Sequence, residues 1–378
     1  ISDGNNAGSV AAISYIASVN PLAGTFAEWG TLSINHSWTS VDLSNTYRDP
    51  VIIASDPTFN GSDPATVRIK GIDENSFDIR LQEPNYKDGY HVYETVSYLV
   101  VESGDWSLNT SGSNLISAGT FNSSKLTSEG FENVSLSGFG GIDYTALTQV
   151  QTFNGPDWVT TRTKNLTSSS FQVSMQEEER LNAGAHINED IGWIAIKEGY
   201  ITDTSSNTYR SNYAEESSWL IDHNVSNGYI PTSVDTPISI LAKLGSYNGS
   251  DSANVRISNI SNNDFYLRVH EEQSSDKESS HVDEVPAYLV LPGSSGSMTG
   301  IRTSAGWSSK WGYGHVSAAR AFEELLGIDL TERSDYGGTW WGTDNVDAAD
   351  AWFGTGDLDS QTGSGITVAV VDSGVDLD

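Results

Sequence analysis

The chain has 378 residues, 37% of them hydrophobic and none cysteine, with 50 acidic against 19 basic residues and a net charge of -31. No disulfide, cysteine nucleophile or thiolate metal site is open to it. Phosphate binding needs clustered Lys and Arg, so nucleic acid and anionic membranes are excluded as partners, and no apolar run approaches the roughly 18 residues of a membrane helix. High-salt water or divalent cations suit such a surface.

The chain opens on Ile1, which reads as a processed chain or a piece of a longer one, and residues 1–28 read as an N-terminal strand or linker. From there three segments repeat: FNGSDPATVRIKGI (59–72), FNGPDWVTTRTKNL (153–166) and YNGSDSANVRISNI (247–260). Arg68, Arg162 and Arg256 follow one another at intervals of 94 residues. SFDIRLQE (76–83), SFQVSMQE (170–177) and DFYLRVHE (264–271) repeat downstream, each followed by a His-x-x-Glu and an apolar strand. Three copies of a domain are expected, at 29–118, 119–205 and 206–297, each the size of a small β-sandwich.

The period is two. Phe77, Ile79 and Leu81 alternate with Asp78, Arg80 and Gln82, and Val67 and Ile69 flank Arg68. Asn-Gly and Gly-Ser-Asp runs supply turns. The fold class is therefore all-β, three tandem antiparallel sandwiches, with a small α/β segment at the C-terminus.

Strand parity places Glu83, Glu177 and Glu271 on the apolar face at a strand end, and Glu94, Glu189 and Glu284 inward at the start of another. An inward carboxylate must find a partner or protonate. His91, His186 and His281 stand three residues before the second set of glutamates. Two readings stay open. One is a buried network, Glu83 with His91 or Arg68, pinning a long loop to the sandwich. The other is a sugar pocket in which carboxylate, His or Arg grip hydroxyls while Tyr98, Trp193 or Tyr288 stacks on the ring. Asp63, Asp157 and Asp251, in the Asn-Gly-x-Asp loops, read as Asx turns or as calcium-ordering, ligand-gripping loops. Calcium is the cofactor these loops suggest. Zinc asks for three or four ligands, and each repeat offers at most three.

The array resembles the tandem H-type lectin domains of large bacterial surface and secreted proteins. The resemblance rests on HSWTSVDLSNTYRDPVIIA leading into the FNG-D-VRI stretch, the SF-x-I-R-L-Q-E strand, and the His-x-x-Glu before a strand rich in Tyr or Trp. It implies a six-stranded antiparallel sandwich, trimeric assembly in many members, galactose-type recognition in some, and a role for the Asp, Arg and His positions just named. Repeat two departs from it at GFGGIDYTALTQV.

After Gly293 the texture changes. SerSerGlySer (294–297) reads as a linker, and 307–327 carries helical spacing. The segment from about 340 to 378 resembles the start of a subtilisin-like serine protease, with Asp372 at the place of the catalytic aspartate. No matching histidine or serine motif follows, and an aspartate alone performs no acyl transfer. The apolar stretches 8–19 and 366–371 suggest strand exchange with neighbouring copies. The sequence thus reads as an extracellular, prokaryotic, non-catalytic array that binds glycans or copies of itself, as a homo-oligomer or filament. The rivals are the accessory region of a secreted, calcium-dependent subtilisin-like protease and a purely structural surface-layer subunit.

Overall fold

The computed structural model describes residues 24–304, except 109–114, 137, 138, 140–142, 204, 212–218, 230–237, 262 and 263. They lie within one compact unit, Ala23–Gly314. The expected C-terminal α/β segment with Asp372 and the stretch 8–19 lie outside the described residues.

The first repeat consists of β1 (Gly24–Ile34), β2 (Thr39–Asp42), β3 (Pro50–Ala54), β4 (Thr66–Lys70), β5 (Ser76–Gln82) and β6 (Glu94–Glu102), with β7 (Gly104–Ser107) leading out of it. The second has β8 (Leu115–Ser123), β9 (Glu132–Ser135), β10 (Tyr144–Val150), β11 (Val159–Thr167), β12 (Ser170–Glu177) and β13 (Glu189–Lys197), followed by β14 (Gly199–Thr202). The third has β15 (Thr208–Ser211), β16 (Ser226–Tyr229), β17 (Ile238–Leu244), β18 (Ala253–Ser258), β19 (Asp264–Glu271) and β20 (Pro286–Pro292), followed by β21 (Ser295–Ser304). All ladders between these strands are antiparallel, and the fold is all-β. Among the described residues no helix is long and apolar enough to cross a membrane.

Each repeat folds as two three-stranded sheets face to face. The outer sheets are β2-β5-β4, β9-β12-β11 and β16-β19-β18, and the inner ones run β1-β6-β3, β8-β13-β10 and β15-β20-β17. The alternation in β5 does what its period dictates: Phe77, Ile79 and Leu81 enter the first core with Val67, Ile69, Val96 and Val100. Phe171, Val173 and Met175 do the same in the second core, and Phe265, Leu267 and Val269 in the third. The departure in repeat two is absorbed without loss, because TyrThrAlaLeuThrGlnVal forms β10 in the place that β3 and β17 hold in the other copies.

The inner strands β3, β6 and β20 do not alternate. They are apolar on both faces, because the second face is buried too. Val51, Ile53, Leu99 and Val101 from the first repeat, Leu147, Ile194 and Ile196 from the second, and Leu241, Leu289 and Leu291 from the third form one shared core. Within it β3 packs on β13, β10 on β20 and β17 on β6. Each repeat therefore meets the next, and the third meets the first. The ring is also closed by backbone pairing: β7 pairs with β8, β14 with β15, and β21 with β1. A glycine with positive φ turns the chain into each of these linking strands, at Gly104 (131°), Gly199 (98°) and Gly293 (73°).

Two expectations change here. Residues 294–297 are no free linker, since β21 begins at Ser295 and pairs with both β1 and β7. The boundaries drawn at 28/29 and 118/119 fall inside β1 and β8. A Gly-Ser run exposes no apolar period, and its strand is called up by the ladder edge it meets.

One buried cation joins all three repeats. Lys243 Nζ donates to Asp56 Oδ1 at 2.7 Å and to Gln149 Oε1 at 3.1 Å, and Asp56 Oδ2 also accepts from Val255 N at 2.9 Å. A buried charge is tolerated only when it is paired and hydrogen-bonded in this way.

Candidate functional site

The loop before β4, β11 and β18, one edge strand of each outer sheet, is the foundation of the site. In the first repeat Glu94 Oε2 accepts from Thr58 Oγ1 at 2.6 Å, and its oxygens accept from Asn60 N at 2.9 Å and Gly61 N at 2.7 Å. Asn60 Nδ2 closes the loop on Tyr93 O at 3.0 Å. Glu189 and Glu284 hold the loops at Asn154-Gly155 and Asn248-Gly249 by the same bonds. Asx-Gly is needed because the loop passes against the histidine: a Cβ on Gly155 would stand 2.6 Å from His186 Nε2, and one on Gly249 2.7 Å from His281 Nε2.

Each histidine bridges two carboxylates. His91 Nδ1 lies 2.9 Å from Glu83 Oε1 and its Nε2 3.3 Å from Glu94 Oε1. His281 spans Glu271 and Glu284 at 3.1 and 3.2 Å. His186 is hydrogen-bonded through Nδ1 to Glu177 and stands 3.5 Å from Glu189. Burial pulls the His186 imidazole down, but its bonds to Glu177 and Glu189 outweigh that and push it up to about 9. His281 is raised by the same balance. For Glu189 and Glu284, burial works to raise the carboxyl. The histidine and the loop donors win, and for Glu284 the Arg162 charge as well, so that both sit at about 2.

The arginines do not join the network of their own repeat. Arg68 reaches into the second, donating Nη2 to Glu189 Oε1 at 3.2 Å and Nη1 to Asp157 O at 2.6 Å. Arg162 donates to Glu284 and to Asp251 O in the third. Arg256 completes the circle, with Glu94 Oε1 at 2.8 Å and Asp63 O at 3.1 Å. Phe153, Tyr247 and Phe59 lie under the three guanidinium groups at 4.6, 4.9 and 4.9 Å. All three arginines are fully buried; desolvation lowers Arg68 and Arg256 to about 10 against the pull of their glutamates. Removing one member of such a pair strands its partner's charge and costs about 3–5 kcal/mol.

The expected pairing of Glu83 with Arg68 is thus corrected. Arg68 sits on the outward side of β4, away from the carboxylates inside its own sandwich, and that side is covered by the second repeat. The rings expected to stack on a ligand are also placed elsewhere. Tyr98 packs edge-on against Phe77 at 5.3 Å, and Tyr288 against Phe265 at 5.4 Å, both buried in sandwich cores; Trp193 lies half-buried over Phe171. None of Tyr98 and Tyr288 presents a free face for a sugar. Thr58, Thr152 and Ser246, and the aromatic before each Asn-Gly, belong to the site and were missed; their recurrence directly before Asn-Gly was the available signal.

Beside the network, the second repeat opens a cavity of about 360 Å³ lined by Asn154, Asp157, Glu177, Leu181, His186 and Ile187, with Gly155, Pro156 and Ala185 completing it. Leu181 and Ile187 are exposed on its rim. Asp157, Glu177 and His186 bring ligand atoms within 4.8 Å of one another. They already have partners: Asp157 Oδ1 accepts from Asn85 Nδ2 at 2.8 Å, and Glu177 from His186. In the first repeat Asp63 is met by Lys87 Nζ at 2.6 Å. The sequence residues brought together are therefore Asp, Glu and His of one repeat with Arg of the previous one.

Fold and site together define an all-β ring of three six-stranded sandwiches sealed by buried Arg-Glu-His-Glu chains, with a polar cavity at one of them. No family model matches the chain, and no solved structure matches it. It is similar to halomucin of Haloquadratum walsbyi, 26% identical over 292 residues. Those residues are 73% of this chain and 3% of halomucin, so the chain spans a small fraction of that relative.

Proposed function

We propose that the chain is part of an extracellular surface protein, non-catalytic in this region, whose ring of sandwiches binds glycans through the cavity of the second repeat. The observation that carries the reading is that cavity. It combines an exposed apolar rim, Leu181 and Ile187, with converging polar groups, Asn154, Asp157, Glu177 and His186, and a volume within the common range for small-molecule sites. The acidic, cysteine-free composition and the similarity to halomucin support the surface location.

A second reading, a purely structural surface unit without a sugar site, is favoured by the way the Glu and His side chains are spent on holding loops and neighbours. One experiment separates the two. A glycan array with the 378-residue chain is expected to give binding that Asp157→Ala removes. The melting temperature should move little, because the bond Asp157 loses is a solvent-exposed one of about 0.5–1.5 kcal/mol. An array without signal would sink the glycan reading and leave the structural one.

A further inference from the structure

The three junctions of the ring share the arginine-glutamate pairing and differ in the side chains beside it. The residue two places beyond the strand-end glutamate lies at the next repeat's loop: Asn85 N donates to Glu178 Oε2 at 2.7 Å, and Glu179 N donates to Glu272 Oε1 at 2.5 Å, so Asn85 and Glu179 hold equivalent places. At the first junction the Asn85 amide donates to Asp157. At the junction of the third repeat with the first, the equivalent residue is Gln273, whose N donates to Tyr86 Oη at 2.9 Å, and Asp63 is met from within its own repeat by the Lys87 ammonium. At the junction of the second with the third the equivalent side chain is a carboxylate. Glu179, Asp251 and Glu271 each bring an oxygen within 4.8 Å of the others.

A second observation is independent of this clustering. Glu271 is 2% exposed, and while its Oε1 takes His281 Nδ1, its Oε2 is buried with no hydrogen-bond partner. The corresponding oxygen of Glu83 accepts from Gly89 N at 3.1 Å. A buried carboxylate oxygen without a donor keeps its desolvation penalty uncompensated, so this place calls for a donor or a cation. Among the described residues no Lys or Arg nitrogen forms an ion pair with any of the three carboxylates. Glu272 and Asp276 deepen the negative field, and burial followed by these neighbours pushes the Glu179 carboxyl up to about 7.

We propose that Glu179, Asp251 and Glu271 hold a hard divalent cation at the junction of the second and third repeats, where it does the work that the Asn85 amide does at the first. The donor set is all carboxylate oxygen, which suits calcium or magnesium over zinc or copper. Two of the three ligands belong to the third repeat and one to the second, so the ion would tie the ring at its most acidic joint. The proposal does not rest on sugar binding.

The test is calorimetric titration of CaCl2, and separately MgCl2, into the chelator-stripped 378-residue chain, with KCl holding ionic strength constant. Glu179→Asn is the partner sample. It reproduces the arrangement at the first junction and is expected to fold at least as stably as the stripped wild type; Asp251→Asn serves if it does not. The expected result is one more equivalent bound by the wild type than by the variant, with a rise in melting temperature that the variant loses. Equal stoichiometry in both proteins would overturn the site, as would a rise that KCl alone reproduces.

Discussion

Two histidines of this protein are driven in opposite directions by what surrounds them. His186 stands between Glu177 and Glu189, and the carboxylates hold its second proton up to about pH 9. His270 is buried beside Arg256, with Nη1 3.3 Å from its Nδ1, and burial, then Arg256 and Arg268, push its pKa down to about 3. It takes the place that Gln82 and Gln176 fill at the other seams, accepting from the guanidinium as they do. Side-chain NMR should find His186 doubly protonated and His270 neutral throughout the range between about pH 4 and pH 8. A titration of His270 near 6.5 would mean that the third seam is open in solution. The inward placement of Glu83, Glu94 and their counterparts was legible from strand parity alone. The partner of Arg68 was not: Glu189 is 121 positions away, and parity says only that the arginine points outward, not what covers it.

At the scale of elements, the linking strands set the ring's closure. β21 pairs along one edge with β1, from Gly24 opposite Gly300 to Gly30 opposite Ser295, and at its far end with β7. It also covers Trp29, whose ring crowds Gly296, and Phe26, which crowds Gly300. Ending the chain at Gly293 should therefore expose both rings and the edge of β1. The expected outcome is a loss of several kcal/mol in chemical denaturation, at about 1.5–3 kcal/mol per large apolar side chain uncovered, together with binding of a hydrophobic dye. Unchanged stability would place the ring's closure in the shared core alone. The sandwich strands could be read from period and turns. β21 could not, because SerGlySer carries no pattern until a neighbouring edge supplies one.

For the whole molecule the charged seams fix a pH window. The depressed pKa values of Glu94, Glu189 and Glu284 mean that their stabilisation is complete above the ordinary carboxylate range and is lost as pH falls below it, for Glu189 and Glu284 toward about 2. His270, depressed as well, contributes only while neutral, and that contribution fades in the same direction. His186, raised to about 9, contributes fully below pH 6.5 and loses its share as pH climbs through 9, and Glu179 and Glu198, raised to about 7, also favour the folded state at lower pH. Stability followed by circular dichroism should peak between about pH 5 and 6.5, fall gently to pH 9 and collapse in one cooperative step below about pH 4. Three separate acid transitions would contradict a ring in which every repeat's glutamate answers to its neighbour's arginine.

Because β21 returns to lie antiparallel beside β1, the chain enters and leaves the ring at neighbouring points. In a longer polypeptide such a unit hangs from the main thread as a side loop. A pull on the thread would load that strand pair one rung at a time from its open end, as a zipper is drawn, and not all rungs together. The ring would yield to tension at low force, starting at β1 and β21, and would pay out its roughly 280 residues as slack while the buried seams gave way after it.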